Sequence, residues 1–223
     1  MLSIIIPTYN ERGNIQPLVS RLEKSLQEDH EIIFVDDNSP DGTAQVVSEL
    51  SRQSPAVRLV RRERKDGLTG AVVAGLSAAR GDRIVVMDAD LSHPPEVVQE
   101  LVAGLSDHDL VLGSRMLKGG GVVAWPLSRG LISKGAEVLA RIFIGVKVAD
   151  PLTGFFAIRR PVFEKTRFRV KGYKILLNIL ADNRRIRIKE VAYVFGARHA
   201  GTTKLGTGEI LNYVLDLARI VLS

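Results

Sequence analysis

In IVVMDADLSHPPE, residues 84–96, two carboxylates, Asp88 and Asp90, arrive one residue apart just as an apolar run ends. Taking a carboxylate out of water is costly unless it is paired or holds a cation. Hard oxygen donors of this kind suit Mg2+ or Mn2+, whose open positions are filled by phosphate oxygens of a substrate. An Asp-X-Asp by itself is a weak motif, and a solvated turn is the favoured reading of it alone. A second acid pair at the end of another apolar run, Asp36 and Asp37 after EIIFV, favours the ligand reading. An acid at a strand end also suits the hydroxyls of a ribose or the edge of a base. No GxGxxG follows the first predicted strand and no GxxxxGK(S/T) occurs, which argues against a dinucleotide dehydrogenase and a P-loop ATPase.

Cations form the complementary set: Arg115, Lys118, Arg129, Lys134, Arg198 and Lys204. Arg129 and Ser133 lie four apart on a predicted helix and share a face, where together they can grip a phosphate. Arg198 and Lys204 lie in a Gly/Thr-rich loop able to close over an anion. A single arginine is ordinarily a solvated surface residue; the clustering singles out the set. His93 reads either as a third metal ligand or acid/base, or as the entry to a helix begun by Pro94 and Pro95, and the helix-entry reading is favoured. Trp125 and Phe143 fit a core and a membrane interface equally.

Such residues need a scaffold that gathers strand ends. LSIIIPTYN, EIIFVDD, VRLVRRE, DRIVVMDAD and DLVLGSR are short β-branched runs closed by turn residues, hence strands. Between them IQPLVSRLEKSLQ, AQVVSELSRQ, LTGAVVAGLSAAR and PPEVVQELVAGL carry the apolar spacing of helices. This alternation predicts an α/β fold with a mainly parallel central sheet, covered on both faces, and a ligand beyond the carboxyl ends of the strands. PTYNE, VDDNSPDG and MDADLS are three such ends. After residue 115, KGGGVV reads as a flexible loop and DPLTGFFAIRR as a turn and a strand. SRGLISKGAEVLARIFIGV, YKILLNILADN and EILNYVLDLARIVLS read as helices, and IRIKEVAYVFG as one strand.

The 223 residues, 45% apolar and 25% charged, suffice for one large core, and a single domain over 1–223 is expected. With no cysteine, disulfides, thiolate metal sites and cysteine nucleophiles are excluded. MLSIIIPTYN lacks a basic head and no apolar run approaches ~18 residues, so neither a secretory signal nor a membrane span is expected. Charge is uneven: residues 1–110 hold 11 basic against 18 acidic residues, and residues 111–223 hold 20 against 7. The basic half suits phosphate or an anionic membrane, or is simply an arginine-rich surface. It lacks interleaved aromatics, which argues against nucleic acid.

IIPTYNERGNI, IIFVDDNSPDGT, VVMDADLSHPPE, GSRMLKGG, WPLSRGLISKGA, DPLTGFFAIRR, GYKILL and TTKLG occur in this order over nearly the whole chain. Together they resemble the family 2 glycosyltransferases and, within them, the dolichol-phosphate mannose synthases. The resemblance implies a Rossmann-like, nucleotide-sugar-binding GT-A fold with a basic C-terminal elaboration carrying amphipathic helices. Residues 1–115 would be the nucleotide-sugar and metal half, and 116–223 the acceptor and membrane-facing half.

By motif match, Pro7, Tyr9, Glu11, Val35 and Asp37 would hold the guanosine part of the donor. Asp88, Ala89 and Asp90 would hold its diphosphate, with Mg2+ or Mn2+ on Asp88, Asp90 and Ser92. Arg115, Arg129 and Ser133 would bind the acceptor phosphate, while Arg198 and Lys204 close over the donor. The catalytic set is then Asp90, Arg115, Arg129, Arg198 and Lys204. The implied reaction is inverting transfer of mannose from GDP-mannose to dolichyl or another polyprenyl phosphate. It would occur at the cytoplasmic face of a membrane, with the chain peripherally bound and a small membrane-anchoring subunit as a candidate partner. Two departures stand out: Asn178 where members carry Glu, and Ser92 where some carry Gln. The alternatives are a polyprenyl-phosphate glucosyltransferase using UDP-glucose and a non-catalytic nucleotide-sugar-binding subunit.

Overall fold

The computed structural model describes residues 1–63, 67–123, 127–169 and 175–197, with Leu217 and Arg219; over 127–133 it describes the backbone alone. The strands are β1 (Leu2–Thr8), β2 (His30–Asp36), β3 (Val57–Arg61), β4 (Arg83–Val86), β5 (Leu110–Ser114), β6 (Gly121–Val122), β7 (Phe156–Arg159), β8 (Ile188–Ala192) and β9 (Val194–Phe195). The helices are α1 (Arg12–Ser25), α2 (Thr43–Gln53), α3 (Gly67–Ala78), α4 (Val98–Gly104), α5 (Leu127–Ile144), α6 (Arg160–Glu164) and α7 (Ile175–Asp182). A 3-10 turn at Pro95–Val97 leads into α4.

The main sheet has the order β3-β2-β1-β4-β7-β5-β8. β1 pairs in parallel with β2 and β4, β2 with β3, and β5 with β8. The expectation of a mainly parallel sheet holds, with one exception: β7 runs antiparallel between β4 and β5. Its start therefore lies at the same edge as the ends of β4 and β5. Two expectations need correction. KGGGVV contributes a short strand, β6, and IRIKEVAYVFG divides at Tyr193 into β8 and β9, the latter pairing with β6.

β1 is nearly all apolar because it is central and covered on both faces. Leu2, Ile4 and Ile6 join one core with Leu18 and Leu22 of α1, Val47 of α2 and Leu101 of α4. Ile5 points the other way, into a second core with Val72 of α3, Ala140 of α5, Phe163 of α6 and Leu177 of α7. The fold is thus helix–sheet–helix. Gly75 lets α3 lie close, since a Cβ there would collide with the side chains of Ile5 and Val35.

The amino edge of the sheet is closed by charge. Buried Glu31 accepts hydrogen bonds from the Ser3 hydroxyl (2.6 Å) and the Arg80 N–H (2.6 Å) and pairs with Arg58. Burial would raise its carboxyl, but these partners outweigh burial and hold it below the usual range. The carboxyl edge is where acids, arginines and strained loops collect.

Candidate active site

Three non-glycine residues take left-handed backbone among the described residues, Asn10 (φ 61°), Asn38 (φ 58°) and Leu91 (φ 63°). Each lies just past the end of β1, β2 or β4. Asparagine tolerates this region, whereas leucine is held there at a cost of about 1 kcal/mol. Strain of this kind persists only where the surroundings over-determine it, and it gathers at functional sites.

The loops after β1 and β2 interlock. Asp41 accepts from the Arg12 N–H (3.1 Å), the Thr43 N–H (2.9 Å) and the Thr43 hydroxyl (2.6 Å). Burial would raise its carboxyl, but the Thr43 and Arg12 donors outweigh burial and lower it. Thr43 Oγ1 accepts from the Glu11 N–H (2.9 Å) and Ser39 Oγ from the Asn10 N–H (3.0 Å). Buried Asp36 accepts from the Ser39 N–H (3.0 Å) and hydroxyl (2.5 Å). Asp37 pairs with Arg62 (2.6 Å), and Glu11 accepts from Asn14 Nδ2 (2.6 Å). Pro7 and Tyr9 are half-buried at the rim. Val35 has its side chain wholly in the core, so it can meet a ligand only through its backbone.

After β4, the two acids part company. Asp90 is buried, and its Oδ1 accepts from the Ser92 N–H (3.1 Å) and hydroxyl (2.5 Å). Ser92 is itself fully buried, and its two bonds steady the Asp90 carboxylate. Ala89 is buried between them. The Asp88 side chain is 43% exposed. Its N–H donates to His93 Nδ1 (3.0 Å), and the His93 ring is buried and stacked on Phe155 at 4.9 Å. Burial pushes the imidazole down to about 3 against the pull of Asp90, so the ring is neutral.

Beside this loop, at the end of β5, Arg115 makes a bidentate pair with Asp150. Nε lies 2.7 Å and Nη2 2.8 Å from its carboxylate, and the Arg115 N–H adds a third bond (3.1 Å). The two side chains are 9% and 0% exposed. Burial would lower the guanidinium, but the Asp150 bonds outweigh burial and raise it. Asp150 is fixed in turn by Glu190 of β8, whose carboxylate accepts the N–H groups of Ala149 (2.8 Å) and Asp150 (3.1 Å). Arg115 also lies 5.8 Å from the centroid of Phe195, which packs edge-on to His93 at 5.5 Å. An aromatic cluster of His93, Phe155, Tyr193 and Phe195 therefore joins the β4 acids to the β5 arginine.

Lys118 and Lys134 are exposed, as is Phe143, at 50%, which removes its core reading. Arg129 and Ser133 fall in the first half of α5, where the backbone alone is described. Trp125, Arg198 and Lys204 lie outside the described residues, as does the last predicted helix apart from Leu217 and Arg219. Asn178 is buried in α7, where its Oδ1 accepts from the Arg169 N–H (3.1 Å). Sequence reasoning missed Asp150, Arg62 and Ser39, and it named Ser92 only as a metal ligand, not as the donor to Asp90. The serines had a readable signal, since Asp followed at two or three residues by Ser is the spacing of a side chain closing its own turn.

Asp88 and Asp90 offer a divalent ion two carboxylates, and no described group of three or more His, Asp or Glu residues is arranged to hold a metal. That donor set fits Mg2+ or Mn2+, which take one or two protein carboxylates and complete their shell with water and substrate phosphates.

Residues 3–167 match Glycosyl transferase family 2. The chain belongs to that family. It is 43% identical to a dolichol-phosphate mannosyltransferase of Pyrococcus furiosus over 99% of its own length, and it spans 63% of that relative. It is 38% identical to the dolichol-phosphate mannosyltransferase of Saccharomyces cerevisiae, covering 98% of this chain and 86% of the relative. The fold is the GT-A glycosyltransferase fold. Glucosyl-3-phosphoglycerate synthase from Mycobacterium tuberculosis, solved with Mn2+, UDP-glucose and phosphoglyceric acid, superposes with a TM-score of 0.75. That match covers 100% of this chain and 78% of the other at 23% identity. In a family 2 protein, the carboxyl edge described above is the place to look for a nucleotide sugar.

Proposed function

We propose that this chain transfers mannose from GDP-mannose to dolichyl phosphate or a similar polyprenyl phosphate, with inversion at the sugar C1. The observation that carries this reading is the carboxylate pair after β4 beside the clamped arginine after β5, joined through one aromatic cluster. Relatives named dolichol-phosphate mannosyltransferase, alike over almost the whole chain, support the choice of sugar and lipid.

In this reading residues 1–115 form the donor half. Pro7, Tyr9, Glu11, Asp37 and the Val35 backbone face the guanosine, while Asp88 and Asp90 would hold Mg2+ or Mn2+ with the diphosphate. Such an ion, when bound, neutralises charge on the departing diphosphate. Arg115, Arg129 and Ser133 receive the acceptor phosphate, with Asp150 fixing the plane of the Arg115 guanidinium. Arg198 and Lys204 contribute charge to the donor phosphates. A phosphate oxygen, already anionic near neutral pH, forms the new bond to C1. The bond from C1 to the diphosphate breaks, and its electron pair leaves on GDP. No proton has to be removed, so no base is required and buried His93 is not needed as one. Catalysis is then positioning and charge stabilisation.

No helix among the described residues is long and apolar enough to cross a membrane. On α5, however, Val138, Leu139, Ile142 (70% exposed) and Phe143 form an exposed apolar stripe. Exposed Lys134 and Lys147 flank it. An apolar face bordered by cations suits the interface of an anionic bilayer. This supports a peripheral site at a membrane surface, where the lipid phosphate is met; in this reading the surface is the cytoplasmic face.

The test is transfer of labelled sugar from GDP-mannose and, separately, UDP-glucose to a short polyprenyl phosphate, with Mg2+, Mn2+ or chelator. Metal-dependent transfer from GDP-mannose is expected. Transfer from UDP-glucose alone would overturn the donor. Transfer from neither, with metal-dependent nucleotide binding retained, would favour a non-catalytic binding subunit.

A further inference from the structure

We propose that His93 is a positioning residue, whose buried ring holds the backbone of Asp88 and so aims the exposed carboxylate that meets the donor diphosphate. This rests on the reading of Asp88 given above. The Asp88 N–H donates to His93 Nδ1 at 3.0 Å. A nitrogen that accepts this bond cannot at the same time ligate a metal or serve as a base. The ring is 2% exposed and confined on three sides: stacked on Phe155 (4.9 Å, 10°) and edge-on to Tyr193 (5.8 Å, 70°) and Phe195 (5.5 Å, 76°). It therefore has no room to swing away from the amide it holds.

The left-handed Leu91 makes this contact possible. It turns the chain back so that a side chain five residues on meets the Asp88 amide, which a continuing strand or helix would not allow. Gly154 lies beside both groups, since a Cβ there would make ordinary contact with His93 Cε1 (3.6 Å) and Asp88 Oδ1 (3.9 Å). Leu91 strain and the aromatic cage converge on one hydrogen bond. Partners that orient a metal ligand in this way typically govern affinity by about 10- to 100-fold.

The test uses the full chain with His93→Leu and His93→Asn, probed with Mn2+ and GDP by calorimetry, together with hydrogen exchange at the Asp88 amide. Leucine keeps apolar bulk and removes the acceptor. Asparagine places a carbonyl oxygen where Nδ1 lies. The leucine variant is expected to weaken Mn2+-dependent GDP binding by about 10- to 100-fold and to speed exchange at Asp88. The asparagine variant is expected to restore both to within a few-fold. A folded leucine variant with unchanged exchange and affinity overturns the proposal, as does an asparagine variant no better than leucine. If the leucine variant does not fold, the asparagine variant decides. Slow exchange and near-native affinity support the proposal, and fast exchange overturns it. A native chain that shows no Mn2+-dependent GDP binding would sink the donor-site reading, while exchange at Asp88 still reports whether His93 holds that amide.

Discussion

The strands on either side of β1, β2 and β4, both end in paired acids, yet the two pairs do different work. After β2, Asp36 is buried on the Ser39 N–H and hydroxyl, and Asp37 is joined to Arg62. After β4, Asp90 is held on the Ser92 N–H and hydroxyl in the same manner, but Asp88 presents a carboxylate that is 43% exposed. In each pair one acid closes the turn with a serine. The other acid is buried against an arginine after β2 and is half-exposed after β4. A half-exposed carboxylate whose backbone is fixed, as the Asp88 N–H is by His93, is the arrangement that suits a bound cation. Two motifs that look alike in sequence are thus separated by how far the second carboxylate is exposed: 7% at Asp37 and 43% at Asp88.

The largest expected effect comes from Asp88→Asn. Sugar transfer should fall about 1,000-fold or more, with the unfolding midpoint little changed, because a half-exposed side chain contributes little to stability. If Asp37→Asn weakened Mn2+ binding as much as Asp88→Asn does, the two pairs would be equivalent and the contrast would fail. Next is Asp150→Asn, which leaves Arg115 buried beside a neutral partner. Urea unfolding should show a loss of about 3 kcal/mol, and a loss under 1 kcal/mol would mean that the pair is dispensable to the fold. Asp36→Ala should cost about 2 kcal/mol, since it strands the Ser39 N–H and hydroxyl in the interior. The same substitution at Asp88 should cost a few tenths of that in the same experiment.

Acid sharpens the contrast further. The His93 imidazole is held at about 3, below its ordinary 6.5, chiefly by burial. The unfolded chain therefore takes up the proton first, and stability falls as pH drops below about 6.5, by up to ~1.4 kcal/mol per pH unit. Asp41, which ties the β1 and β2 loops, is held below its ordinary 3.8. Its contribution persists down to the carboxyl range and is lost only as pH falls through its lowered value. In chelator, His93→Asn should flatten the stability slope between pH 4 and 6 and leave the steeper loss at lower pH. An unchanged slope in that window would show that His93 does not set it.

Much of this was legible in the sequence. β1 and β2 follow from apolar runs closed by Pro7–Asn10 and Asp36–Pro40, because a central strand buried on both faces has little choice of residue. The direction of β7 was not legible. FFAIRR reads as a buried strand, and its orientation is decided by the two strands it pairs with, β4 and β5, far away in the chain. Asp150 was hidden in DPLTG, which reads as a turn, because its partner Arg115 lies 35 residues back. The role of His93 depends on the backbone of Leu91, and a leucine gives no sign that it will take a left-handed conformation. Local chemistry can be read from local sequence, whereas contacts made across strand ends cannot.

The most direct test is manganese anomalous scattering from crystals of the full chain grown with Mn2+ and GDP. The account predicts a peak within coordinating reach of the Asp88 carboxylate, at the loop after β4. A peak beside Asp36 and Asp37, or GDP bound with no manganese at Asp88, would contradict it.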